Sequence, residues 1–379
     1  MAGAITAAPS SIAEPVAASG AGAPSASRWI LHPWLDALLI AWPWVPVYLV
    51  ATLVLGEQQI AAPVLGEAHL FLLVLFAANF AHRNYTYLLV FGDRRTFRER
   101  PRTFVAILAV AVALAAAGSF GLVPGLMPLL LAVIVVWNLQ HVVMQRYGFL
   151  RLYARKQGGA VASEAHGRRD LWLLWSFVAL LFACWFFTDD PRYRYAVART
   201  NAIDFGALDT LVTRGVELLP GVALAVAAPL FAWSLVRWLR HELAVPASLR
   251  ERLPRWLFLL STAPLYAIAL FHDIFLAFLC VMAAHAVEYV AFVHGHCRRR
   301  YRHLGWSSGW AVPLLRNGLA SFAVVAVGGV LLYGFGLSAH PKTSGWVGLY
   351  LTTTVLVHFS YDGLIWHRGR SASDAGAFA

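Results

Sequence analysis

Four histidines, His82, His141, His285 and His358, each fall inside a different long apolar stretch of the chain. An imidazole in hydrocarbon is costly, so ionisable side chains at such positions face a bundle interior and serve a function there. Four at a common depth have the makings of a single metal centre with ligands drawn from several helices. Further polar groups follow about one helical turn later. Gln145 follows His141, Glu288 and Tyr289 follow His285, and Asp362 follows His358, while His82 is followed by Arg83, Asn84 and Tyr85. Residues three or four apart share a helix face, so these groups belong beside the imidazoles. His32 and Asp36 repeat the His-x-x-x-Asp spacing closer to a membrane interface.

Imidazoles with one or two carboxylates and open coordination positions suit non-haem iron, and neutral imidazole also suits zinc or copper. A ligating histidine needs a partner on its other nitrogen, which Glu288, Asp362, Asn138 and Gln145 could supply. The site is therefore expected to use His82, His141, His285 and His358 on the metal and Asn138 and Gln145 around it. Glu288, Asp362 and Tyr289 are its candidate catalytic groups. The two carboxylates could instead neutralise Arg83 and Arg146 in a buried ion network, and Arg83 could also reach the membrane surface. Haem with two histidine axial ligands is a further option, although electron transfer across a membrane usually wants haems at two depths. Tyr147 and Tyr361 read as packing beside the ligands. His294 and His296, beside Arg298–Arg300, read as interfacial, as do His32 and His367. His166, His241, His303 and His340 fall in presumed loops and carry no signal.

The elements that position these groups are membrane helices. Of 379 residues, 60% are hydrophobic and only 13% charged, and the mean hydropathy is +0.64. Apolar runs of about 20 residues recur, each long enough to cross about 30 Å of hydrocarbon. Ten can be drawn, at 35–56, 68–91, 103–122, 127–150, 170–188, 218–239, 256–271, 273–294, 313–335 and 346–366. The seventh is short and contains Pro264. The expected architecture is an all-α polytopic transmembrane bundle over 29–370. It is flanked by a disordered tail at 1–28, rich in Ala, Ser, Pro and Gly, and a short tail at 371–379. The tail lacks the positive start and compact apolar core of a secretory signal. Three cysteines without metal-type spacing make no disulfide framework.

Charge sets the expected orientation. Arginines crowd the loops after the second, fourth, sixth and eighth runs, and the chain closes on Arg368 and Arg370. The alternate loops hold Glu57 and Glu67, nothing charged near Gly121, a mixed set from Thr188 to Glu217 (Asp189, Asp190, Arg192, Arg194 and Arg199), His272 with Asp273, and Lys342 alone. The positive-inside rule then places both termini in the cytoplasm. All four histidines lie on even-numbered runs, so all four helices travel the same way. Each imidazole sits roughly 14 Å above the cytoplasmic end at 1.5 Å per residue. The net charge of +11 belongs to these short loops and reads as contact with anionic lipid, not with nucleic acid.

The arrangement resembles the integral-membrane iron oxygenases, nearest the bacterial β-carotene-cleaving dioxygenase family, whose single histidines lie on separate helices. The likeness is carried by His358-Phe359-Ser360-Tyr361-Asp362 and by the stretch from His285 to His296. The clustered histidine boxes of membrane fatty-acid desaturases and hydroxylases are absent from the sequence. The resemblance implies a bacterial inner-membrane oxygenase that uses iron and dioxygen on a lipid, isoprenoid or carotenoid reached from the bilayer. Electrons would come from an external donor unless the reaction is a dioxygenation. The alternative is a transporter whose buried histidines and carboxylates form a substrate or proton site.

Overall fold

The computed structural model describes residues 28–55, 67–187, 209–272, 274–302, 305–338 and 341–366, and every regular element among them is helical. The tails at 1–27 and 367–379, and with them His367, lie outside the described residues, as do Glu57, Asp273, His303, His340 and most of the mixed-charge stretch after Thr188.

Each of the ten apolar stretches is helical. The first is a bent pair, α1 (Pro33–Ala41) and α2 (Trp44–Leu55), meeting at 50°. There follow α3 (Glu67–Phe91), the short α4 (Arg94–Glu99), α5 (Pro101–Ser119), α6 (Leu126–Gln157), α7 (Glu164–Phe187) and α8 (Asp209–Ala244). The chain continues through α9 (Leu249–Phe271), α10 (Ile274–Arg300), the short α11 (Val312–Arg316), α12 (Gly318–Ser338) and α13 (Pro341–Trp366). Among the described residues, α5, α6, α9, α10 and the Gly221–Ala244 part of α8 are long and apolar enough to cross a membrane. The bent pair makes a sixth if it counts as one span.

Neighbours differ sharply along the bundle. In α6 only 17% of the most apolar window is buried, and Leu129, Val135 and Val136 point outward. An apolar face of that extent calls for lipid around it. In α10 the corresponding figure is 72%. That helix is the axis of the fold, packed on α1, α2, α3, α9 and α12. Close helix approach relies on small residues, as elsewhere in membranes. A Cβ added at Gly329 on α12 would stand 2.6 Å from the Phe80 Cβ on α3, whereas one at Gly328 would meet nothing.

Local chemistry sets the boundaries. Pro43 has no N–H to continue α1, and the bend falls there. Asp36 does not join the histidine layer. Its carboxylate accepts from the backbone N–H groups of Ile30 and Leu31 at 2.7 and 2.8 Å and from the Tyr153 hydroxyl at 2.9 Å. It thus clamps the segment leading into α1, while His32 stays exposed. The seventh stretch starts earlier than its hydropathy suggests, because Ser248 and Glu251 form a capping box ahead of α9. Pro264 lies inside that helix. Beyond it, His272 meets the Tyr48 hydroxyl at 2.8 Å.

Two histidines assigned to loops are helical. His241 lies on α8, and His166 is buried in the first turns of α7, its Nε2 2.9 Å from Glu242. Arg255 bridges Glu242 and Asp170, and the Trp256 and Trp238 indole N–H groups donate to the same two carboxylates at 2.9 Å. This buried network fastens α7, α8 and α9, and each of its two carboxylates has several partners, as buried charge requires.

Candidate metal centre

The four histidines come from α3, α6, α10 and α13, and their rings meet edge to face. Ring centroids lie 4.7 Å apart for His82–His285, 4.8 Å for His82–His358, 5.0 Å for His141–His285 and 4.9 Å for His141–His358. One ligand atom from each of His82, His285 and His358 lies within 4.8 Å of the others, and the same holds for His141, His358 and Asp362. The four helices run the same way through this layer, because residues one turn past each histidine also meet one another. Thr86 touches Tyr289 and Asp362, and Gln145 touches Glu288.

The donor atoms fit a cation. His82 Nδ1, His141 Nε2, His285 Nδ1 and His358 Nε2 are all buried without a hydrogen-bond partner. Four orphaned imidazole nitrogens on packed rings would carry a heavy desolvation cost as bare polar atoms. As ligands their lone pairs are satisfied. Two atoms each about 2.1 Å from one ion lie about 3.0 Å apart when adjacent and about 4.2 Å when opposite in octahedral geometry. Asp362 Oδ2 is 3.8 Å from both His141 Nε2 and His358 Nε2, between those two separations.

The surrounding hydrogen bonds fix protonation and direction. His358 Nδ1 lies 2.8 Å from Thr86 Oγ1, and Thr86 Oγ1 lies 3.2 Å from Asp362 Oδ1. With Nε2 on a metal, His358 carries its proton on Nδ1 and donates to Thr86, which donates in turn to Asp362. The Tyr289 hydroxyl also donates to Asp362 Oδ1, at 3.0 Å. One carboxylate oxygen is therefore held by two hydroxyls while the other faces the histidines. Since Nδ1 of His358 is engaged, only its Nε2 is free to ligate.

Other expected residues take different places. Glu288 pairs with Arg146, which also donates to Thr262 at 3.1 Å and lies 4.7 Å over the Phe258 ring. Gln145 donates to the His285 carbonyl at 3.1 Å and to Glu288 at 3.2 Å, tying α6 to α10 beneath the layer. Asn138 is half-buried one turn before His141, and nothing among the described residues joins it to the cluster. The residues flanking His82 diverge. Tyr85 donates to the Gly318 carbonyl at 2.7 Å, Asn84 meets the Tyr350 hydroxyl at 2.9 Å, and Arg83 lines a cavity. His294 packs on Gly318, where an added Cβ would fall 1.8 Å from its Nδ1, and His296 packs between Phe292 and Trp366. Thr86 is the member that sequence reasoning missed. Its signal was its position four residues after His82, the same offset that marked Gln145, Tyr289 and Asp362.

No protein family profile, curated protein or solved structure matches this chain.

Proposed function

We propose that the protein is a metal-dependent integral-membrane oxidoreductase, an oxygenase built on non-haem iron and acting on a lipophilic molecule such as a lipid, isoprenoid or carotenoid. The observation that carries this reading is the packing of four buried imidazoles from four helices, each with an unpartnered nitrogen, into two overlapping candidate ligand groups that share His358. His82, His141, His285 and His358 hold the iron, with the free oxygen of Asp362 beside them. Nitrogen ligands plus one carboxylate are the donor set that suits non-haem iron. Iron bound there would supply activation of dioxygen.

The chain's own residues do the rest. Thr86 and Tyr289 hold Asp362 in place and set the His358 tautomer. Gln145, Glu288 and Arg146 lock α6 against α10 so that His141 stays opposite His285. Apolar walls keep water from the reacting atoms, and a membrane-borne substrate arrives between helices. In the full topology ten helices cross a bacterial inner membrane with both termini cytoplasmic, as the arginine-rich loops support.

Metal analysis of detergent-purified protein tests the reading. Iron should be stoichiometric in the native chain and fall below one tenth of that in His141→Ala and His285→Ala. Iron unchanged in both variants, or a native protein that binds none from iron-replete cells, overturns it. The transporter alternative would be favoured by proteoliposome uptake that survives complete metal removal.

A further inference from the structure

A cavity of about 220 Å³ lies against the histidine layer, on the side away from Glu288 and Asp362. Its lining comes only from the four histidine-bearing helices: Asn79, Phe80 and Arg83 of α3, Ile134 of α6, Met282 of α10 and Val355 of α13, among others. Met282 and Val355 each stand one turn before a histidine, so the cavity lies about one turn from the histidine layer, although no histidine lines it. At the rim, Leu131 and Phe278 are 52% and 43% exposed on the surface that lipid would cover.

One polar group in this wall lacks a counter-charge. Arg83 pairs with no carboxylate among the described residues. Glu288 is held by Arg146, and Asp362 by Tyr289 and Thr86. The Arg83 guanidinium instead lies 5.8 Å from the Phe80 ring centroid. A cation inside a membrane bundle is retained where something anionic or polar meets it. Buried Asn79 offers an amide on the same wall.

We propose that this cavity binds the carboxylate end of a single-chain amphiphile, a fatty-acid-like molecule, with Arg83 as the anchor. A guanidinium matches a carboxylate with two parallel N–H donors. One cation balances one negative charge, while the second charge of a phosphate monoester would remain buried and unpaired. The volume equals that of about seven waters, enough for the head and first carbons of one chain but not for a diacyl lipid. The rest of the chain leaves past Leu131 and Phe278 into the bilayer. The inference takes its catalytic meaning from the proposed oxygenase, whose substrate class it names; the binding itself does not depend on metal.

Equilibrium binding of radiolabelled palmitate to the full-length protein in lipid nanodiscs tests it, on metal-loaded and metal-stripped samples, with methyl palmitate as competitor. Saturable binding of one palmitate per chain is expected in both samples. Methyl palmitate should compete at least ten-fold more weakly. Arg83→Gln should weaken binding at least ten-fold, Arg83→Lys less, and Met282→Trp, which fills the cavity, should abolish it. Equal competition by the ester, unchanged affinity in Arg83→Gln or no saturable binding overturns the proposal. The ester comparison uses the native chain, so it decides even if a variant misfolds. Carboxylate-selective binding without histidine-dependent metal would sink the oxygenase and leave this site standing. Histidine-dependent metal without carboxylate selectivity would do the reverse.

Discussion

Replacing Arg146 by methionine should destabilise the protein more than replacing both Arg146 and Glu288. The guanidinium is buried, pairs with Glu288, donates to Thr262 and lies 4.7 Å over the Phe258 ring. Removing it alone leaves the Glu288 carboxyl in a nearly dry site with only Gln145 as partner, so it must either stay charged without its cation or take up a proton, each at a cost. Breaking a buried pair from one side costs about 3–5 kcal/mol. That is roughly a thousand-fold in the unfolding equilibrium. The Arg146→Met/Glu288→Met double variant removes both charges at similar volume and forfeits the bonds to Thr262 and Gln145, about 1 kcal/mol each, together with the cation's contact on the Phe258 ring. Reversible unfolding in mixed detergent micelles would measure the four corners of the cycle, with an expected coupling of at least about 2 kcal/mol. Metal content gives a second reading, because a carboxylate already committed to Arg146 is not needed as a ligand. The double variant should bind as much iron as the native chain. A single variant no worse than the double, or iron lost from a folded double variant, would refute the assignment of Glu288 to Arg146.

Other substitutions probe the remaining contacts. Asp362→Asn leaves Thr86 and Tyr289 without their charged acceptor and should weaken metal affinity by about 10–100-fold in a competition titration; unchanged affinity would remove Asp362 from the site. Thr86→Val disrupts the bond to His358 Nδ1 and should lower metal affinity in the same titration, at a stability cost of about 1–3 kcal/mol for the orphaned buried partners, whereas an unaltered affinity would make Thr86 mere packing. Gly329→Ala forces α12 off Phe80 and should cost about 1–3 kcal/mol of stability, while Gly328→Ala next to it should cost almost nothing. Equal effects at the two glycines would contradict the packing of α12 on α3.

Much of the scaffold was legible because hydropathy and length report membrane helices directly. The four histidines stood out as polar exceptions, and the offset of four residues led to Tyr289 and Asp362. Hydropathy could not rank the helices, however. The most apolar windows of α6 and α10 score an identical 2.0, yet 17% of one and 72% of the other is buried. Lipid and protein neighbours accept the same side chains, so the central helix was invisible. Thr86 escaped because a threonine in an apolar helix usually bonds its own backbone. Glu288 and Asp362 had equal claims from spacing, and only the position of Arg146 across the bundle separates them. Helical phase alone could not tell whether Arg83 turned toward the surface or inward. His166 was hidden for a different reason: the polar first turns of α7 precede its hydrophobic run, and its partner Glu242 lies on another helix.

X-ray absorption on the purified, iron-loaded protein measures the coordination shell itself. The account predicts nitrogen and oxygen scatterers at about 2.0–2.2 Å, with the outer-shell signature of several imidazoles that diminishes in His285→Ala and His358→Ala. A shell of oxygen ligands without imidazole scattering, the same in the native chain and in both variants, would contradict a centre built from His82, His141, His285 and His358.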